Sequence, residues 1–107
     1  MTNKQPLVSV IMPVRNAERF VKKAIESVLA QTYKNFELII VDDCSTDKSS
    51  KIIRSFSDLR VQIFRNKERV GVAASLNIGL KRARCVYIAR MDADDVSVSN
   101  RFEKQIS

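Results

Sequence analysis

Histidine is missing from the 107-residue chain altogether, and so is tryptophan. Without an imidazole there is no Ser-His-Asp triad, no Cys-His nucleophile pair and no His-built zinc site. Chemistry must therefore run on carboxylates, metal ions, amines, hydroxyls or backbone dipoles. Aromatics are scarce, at 7%, and no Lys/Arg run is interleaved with Phe or Tyr, so nothing suggests a nucleic-acid platform. The longest apolar runs, such as Val8–Val14 and Leu38–Val41, are far too short to span a bilayer. The opening residues, MTNKQP, are polar and lack the apolar core of a secretion signal. Two cysteines, Cys44 and Cys85, make no disulfide framework. One falls just past the end of a strand and the other at the start of another, about 20 Å apart for six-residue strands. A disulfide needs Cα atoms within about 7 Å. Free thiols fit a cytoplasmic protein.

What the chain does have is positive charge: 19 Lys+Arg against 12 Asp+Glu, a formal net charge of +7. That balance suits a polyanion, an acidic membrane surface or an anionic small substrate without choosing among them. Hydrophobic content of 45% and charged content of 29% are ordinary globular values, and the length allows one domain, over residues 1–107. Leu7–Pro13 (LVSVIMP) predicts a buried strand. Asn16 is placed to cap a helix in which Phe20, Val21, Ala24, Ile25, Val28 and Leu29 recur at helical spacing, ending near Thr32. Phe36–Val41 predicts a second strand, closed by Asp42 and Asp43. After the turn CSTD comes a weaker helix with Ile52, Ile53 and Phe56 inward. Val61–Phe64 is a third strand. The basic loop RNKERVG then leads to a helix over Val72–Ala83, with Ala73, Leu76, Leu80 and Ala83 inward. Cys85–Met91 predicts a fourth strand, and Ser99 or Asn100 a cap for a last helix that meets no stop signal before Ser107.

Uncharged strands alternating with amphipathic helices imply an α/β fold: a mostly parallel, twisted sheet with helices on both faces. In such sheets ligands bind beyond the carboxyl ends of the strands, near a reversal of strand order. Those ends carry Pro13-Val14-Arg15-Asn16, Asp42-Asp43, Asn66 and Asp92-Ala93-Asp94-Asp95. The negative charge of a basic protein thus gathers on one rim. Two carboxylates about 6 Å apart repel by roughly 3 kcal/mol at an effective dielectric near 20, a cost that a shared cation removes. Mg²⁺ and Mn²⁺ take such oxygen ligands together with phosphate oxygens, and Asp-x-Asp puts two carboxylates on one side of an extended chain. The plainer alternative is a set of solvated loop residues near a helix N-terminus. An EF-hand loop fails on Val96 and Ser97, which stand where a ligand and the turn glycine belong.

VSVIMPVRNAERFVKKAIESVLAQTYKNFELIIVDDCSTDKS, then NIGLKRA, then YIARMDADDVSVSNRFEKQ, resembles the N-terminal part of a family-2 glycosyltransferase. The resemblance runs from about Leu7 to Gln105. It implies a Rossmann-like GT-A fold, a nucleotide-diphosphate sugar as donor with UDP the first expectation, and Mn²⁺ or Mg²⁺ as cofactor. Pro13, Val14, Arg15 and Asn16 match the family's first nucleotide-contacting turn. Asp43 matches the carboxylate that accepts a hydrogen bond from the uracil N–H. Asp92 and Asp94 match the Asp-x-Asp, with Asp94 the direct metal ligand and Asp92 nearer the ribose or sugar. The plain alternatives are a turn role for Asp43 and a helix cap for Asn16. The resemblance also implies transfer with inversion to a sugar, lipid-linked or polysaccharide acceptor, with the catalytic base beyond Ser107, so that this chain would be the donor half of a longer enzyme. Peripheral contact with the inner face of a membrane fits the basic surface. Departures from the family are Arg15, where an aromatic often stands, Cys44 and Cys85, where glycine is usual, and Ser99 for proline. Two rivals are a donor-binding fragment without turnover, and a receiver-type regulatory module prompted by LIIVDD. The second expects its acidic pair to close the first strand, where here it closes the second.

Overall fold

Runs of β-branched residues separated by amphipathic stretches fold as the sequence pattern implies. The computed structural model describes residues 8–31, 35–84 and 87–91. Within them β1 (Val8–Val14), α1 (Val21–Leu29), β2 (Phe36–Asp42), α2 (Ser49–Arg54), β3 (Val61–Arg65), α3 (Val72–Arg82) and β4 (Tyr87–Arg90) follow in order. The strands form one sheet in the order β3-β2-β1-β4, and every pairing is parallel. The order therefore reverses between β1 and β4, which makes the carboxyl end of β1 a topological switch point. Cys85, the acidic cluster Asp92, Asp94 and Asp95, and the helix expected after Asn100 lie outside the described residues.

Strand side chains alternate between faces, and the two faces are covered differently. Val8, Val10, Met12 and Val14 of β1 join Phe36, Leu38 and Ile40 of β2, and pack with Val21, Ala24, Ile25 and Val28 of α1 and Ile53 of α2. On the other face α3 lies across β1 and β2. Its buried residues are Ser75 and Gly79. This corrects the face expected from hydropathy: Ala73 is exposed, and Leu80 is 48% exposed. The reason is distance. A Cβ placed on Gly79 would collide with Ile11 Cγ2, so the helix sits too close to the sheet for any larger side chain. Two further expectations at α1 are corrected. Phe20 lies outside the helix and is half exposed, its ring beneath the Arg19 guanidinium. Asn16 does not cap α1, which begins five residues later and has no side-chain cap.

The face under α3 also holds a charge. Glu37 is 2% exposed and accepts hydrogen bonds from Ser9 Oγ at 2.6 Å, Gln62 Nε2 at 2.7 Å, Arg84 N at 2.9 Å and Arg84 Nε at 3.1 Å. Burial pushes its carboxyl up, but these hydrogen bonds and the Arg84 charge outweigh it and hold the group below the usual carboxylate range. One buried carboxylate thereby ties β1, β2, β3 and the link from α3 to β4 together, and leaves the opposite rim of the sheet free for ligand.

Candidate functional site

The same alternation decides the fates of two adjacent aspartates. Asp42, in phase with Leu38 and Ile40, turns toward α2. It accepts from Ser45 N at 3.1 Å and from Ser50 Oγ, and pairs with Arg65 Nη1 at 2.8 Å. Its carboxyl is pushed up by burial and brought below the usual range by Ser45, Ser50 and Arg65. Asp42 is a structural anchor. Asp43, one residue on, turns toward α3. Its Oδ1 accepts from Asn66 Nδ2 at 3.0 Å and Val70 N at 2.8 Å, and its Oδ2 from Gly71 N at 2.9 Å. Burial raises its carboxyl, and these three donors with the nearby Arg15 charge lower it further than burial raises it. Asp43 is therefore ionised, and its side chain is fixed.

The sequence pointed to Asp43 and Asn66 as rim residues but gave no sign that Asn66 holds Asp43, or that Val70 and Gly71 supply the other donors. Gly71 carried the one available signal. Its φ of 94° is a conformation that favours glycine, and it lets successive N–H groups turn back onto the carboxylate just before α3 begins.

A second set of bonds joins the first two loops of the rim. Asn16 has φ 50°, and its N–H donates to Ser45 Oγ at 3.1 Å. Its Oδ1 accepts from Thr46 N at 2.7 Å and Asp47 N at 3.3 Å. Asn16 thus clamps the β1–α1 turn to the β2–α2 turn, and its amide faces backbone donors. Cys44 has φ 57°, the backbone conformation expected of a glycine, and its thiol is free.

Between the carboxyl end of β1 and the start of α3 lies a small open cleft lined by Pro13, Val14, Arg15, Asp43, Val72 and Ser75. The structure therefore brings Pro13, Val14, Arg15 and Asp43 together at the switch point and sets Asn16 just behind them as a brace. Arg15 is half-buried there, and its Nε and Nη1 are covered, with no hydrogen-bond partner among the described residues. Val72 is 53% exposed and adds an apolar wall. The last described residue, Met91, donates its N–H to Ile11 O at 3.1 Å, two residues before Pro13. The strand that leads into the acidic cluster thus reaches the side of the cleft.

Among the described residues no three Asp, Glu or Cys side chains are grouped to hold a metal. The described rim carboxylates are already committed, Asp42 to Arg65 and Asp43 to three N–H groups. A metal would fall to Asp92 and Asp94, whose placement lies outside the described residues.

Comparison with known proteins bears on the fold and the family. Residues 9–107 match the family model for glycosyl transferase family 2. The putative glycosyltransferase EpsE of Bacillus subtilis is 47% identical over 98% of this chain and 39% of its own length. The Escherichia coli UDP-Glc:alpha-D-GlcNAc-diphosphoundecaprenol beta-1,3-glucosyltransferase WfgD is 44% identical over 94% of this chain and 40% of its own. The chain thus spans about two fifths of the length of the curated relatives it matches. Among solved structures, S. aureus TarS in complex with UDP-GlcNAc superposes over 94% of this chain and 30% of its own, with a TM-score of 0.88 and 26% identity. The mannosyltransferase PcManGT from Pyrobaculum calidifontis, in complex with GDP-Man and Mn²⁺, gives a TM-score of 0.79 at 28% identity over 88% of this chain and 29% of its own. The parallel sheet with helices on both faces is the α/β arrangement shared with these GT-A neighbours, and the chain belongs to glycosyl transferase family 2.

Proposed function

We propose that the protein is a glycosyltransferase that moves a sugar from a nucleotide diphosphate, UDP first, to a lipid-linked or polysaccharide acceptor, and that these residues form its donor half. The observation that carries this reading is the state of Asp43. An ionised carboxylate has about four acceptor positions, and three are filled by Asn66, Val70 and Gly71. One remains on Oδ2, in the cleft lined by Pro13, Val14 and Val72. The imide N–H of uracil is the group it would accept from. Pro13 and Val14 supply an apolar edge for the base, and Arg15 and Asn16 stand at the same turn.

Asp94, with Asp92 beside it, is proposed to hold Mn²⁺ or Mg²⁺, whose charge would steady the departing diphosphate. Oxygen donors of this kind suit a hard divalent ion. PcManGT in complex with Mn²⁺ and TarS in complex with UDP-GlcNAc support the choice of a metal and of UDP. Deprotonation of the acceptor would fall to a base beyond Ser107, with inversion at the sugar carbon. The name of WfgD specifies a diphosphoundecaprenol acceptor, which favours a lipid-linked acceptor here and work at the cytoplasmic face of a membrane. A net charge of +7 suits that surface, and no helix among the described residues is long and apolar enough to cross it.

Calorimetry with UDP in the presence and absence of Mn²⁺ tests the reading. Asp94→Asn is expected to abolish the metal-dependent part of the affinity. Asp43→Asn is expected to weaken UDP about tenfold or more whether or not metal is present. Affinity unchanged in both variants would remove the nucleotide from this rim.

A further inference from the structure

The Arg15 side chain is left unexplained by the fold. It extends from the carboxyl end of β1 into the cleft wall, and the Asp43 carboxylate it lies near is already served by three N–H donors. Its Nε and Nη1 are shielded from solvent and bonded to nothing among the described residues. A covered donor without an acceptor loses its hydration and gains nothing in return. A guanidinium cannot shed its proton to escape that cost. The resting position of Arg15 is therefore unfavourable, and a ligand that offers acceptors lets the side chain turn its donors into the cleft and recover the loss.

The neighbours say which acceptors. A diphosphate beside Asp43 would set like charges against each other in a site partly shielded from water. A neutral ring edge avoids that repulsion. With one acceptor position left on Asp43 Oδ2 and donors waiting on Arg15, the cleft offers an acceptor next to a donor. An imide edge, N–H flanked by C=O, is its complement. The amino-pyrimidine edge of cytosine, with a ring nitrogen acceptor beside an N–H₂ donor, presents the opposite order to Asp43 and lacks the imide N–H.

We propose that Arg15 reads the nucleobase: on binding, its guanidinium donates to O4, the keto oxygen that flanks the imide N–H held by Asp43 and is replaced by an amino group in cytosine, and so selects uracil over cytosine. This rests on the nucleotide reading of the cleft. Arg15 acts here as a specificity-determining residue on the ring edge, in place of the stacking contact that an aromatic would make at this position.

The experiment pairs changes in the ligand with changes in the protein. Affinities of UDP, CDP, 2-thio-UDP and 4-thio-UDP are measured by calorimetry for the wild-type protein, Arg15→Met and Arg15→Lys. Sulfur is a weaker acceptor than oxygen, so 4-thio-UDP, and not 2-thio-UDP, is expected to bind wild type about tenfold more weakly than UDP. That penalty is expected to vanish in Arg15→Met and to persist in part in Arg15→Lys, which keeps a charged donor. The UDP/CDP ratio is expected to fall in Arg15→Met as well. A structural role for Arg15 would lower all four affinities together and leave their ratios unchanged, and that result overturns the proposal. A thio penalty of equal size in wild type and Arg15→Met overturns it too, while leaving the nucleotide site in place. Failure of wild type to bind any of the four would sink the nucleotide reading and this inference together. Circular dichroism of each variant confirms that it is folded, and Arg15→Lys carries the comparison if Arg15→Met is not.

Discussion

Adjacent residues of like chemistry serve different ends here because a strand turns each to the opposite side. Asp42 is consumed by Arg65 and the serines of the α2 turn, and Asp43 faces the cleft. Period-two alternation from Leu38 would have separated them in advance, since it puts Asp42 with the α2 face and Asp43 with the α3 face. Asn16 was legible as a polar turn residue, but its partners Ser45, Thr46 and Asp47 lie about thirty positions away and no local pattern announces them. The next residue after Asp43 carries a cost. Cys44 holds φ 57°, where a Cβ crowds the backbone by roughly 1–2 kcal/mol. Cys44→Gly removes the crowding, less what glycine adds to the freedom of the unfolded chain. A net gain of about 1 kcal/mol is expected from urea unfolding. Cys44→Ala serves as the control and should show no gain, because it keeps the Cβ.

At the scale of elements, strands were easier to foresee than the faces of helices. Apolar β-branched runs mark β1 and β2, and both are wholly buried. The face of α3 was misread because hydropathy ranks Leu above Gly. What decides the matter is how near the helix must lie to the sheet, a property of two elements at once that no single-chain periodicity contains. Gly79 is the contact point. Alanine is the better helix former by about 1 kcal/mol, so propensity alone says that Gly79→Ala stabilises. The clash with Ile11 says otherwise, because over-packing of this kind costs about 1–3 kcal/mol. We expect Gly79→Ala to lower the melting temperature. Pairing it with Ile11→Val, which trims that side chain, should restore part of the loss. A rise in melting temperature for Gly79→Ala alone would mean that α3 sits further from β1 than described.

Taken whole, the molecule stakes its stability on ionised carboxylates inside a cationic shell. Glu37, Asp42, Asp43 and Asp47 are each held below the usual range against the upward push of burial, by the hydrogen bonds they accept. Asp58 is brought to about 2 by the Arg60 guanidinium and backbone. A depressed folded-state value means that the unfolded chain binds protons first on acidification. The stability these groups contribute is thus nearly complete above about pH 5, where most of the unfolded carboxylates are ionised, and drains away as pH falls toward their lower folded values. Protonation also strips the compensation from 19 Lys and Arg side chains, and self-repulsion adds to the loss. The urea midpoint followed by far-UV circular dichroism should hold level from pH 7 to about pH 5 and then drop without a plateau. A midpoint that rose on acidification would contradict the ionised state assigned to Glu37 and Asp43.

Fastening the Asp43 carboxylate to Asn66, Val70 and Gly71 has one more result. The expense of ordering that group is met when the chain folds rather than when a guest arrives, so little conformational freedom is left to forfeit at the moment of capture. Beside it, the covered Arg15 donors have no partner among the described residues, so capture would bring a guest between an acceptor already ordered and donors still unused.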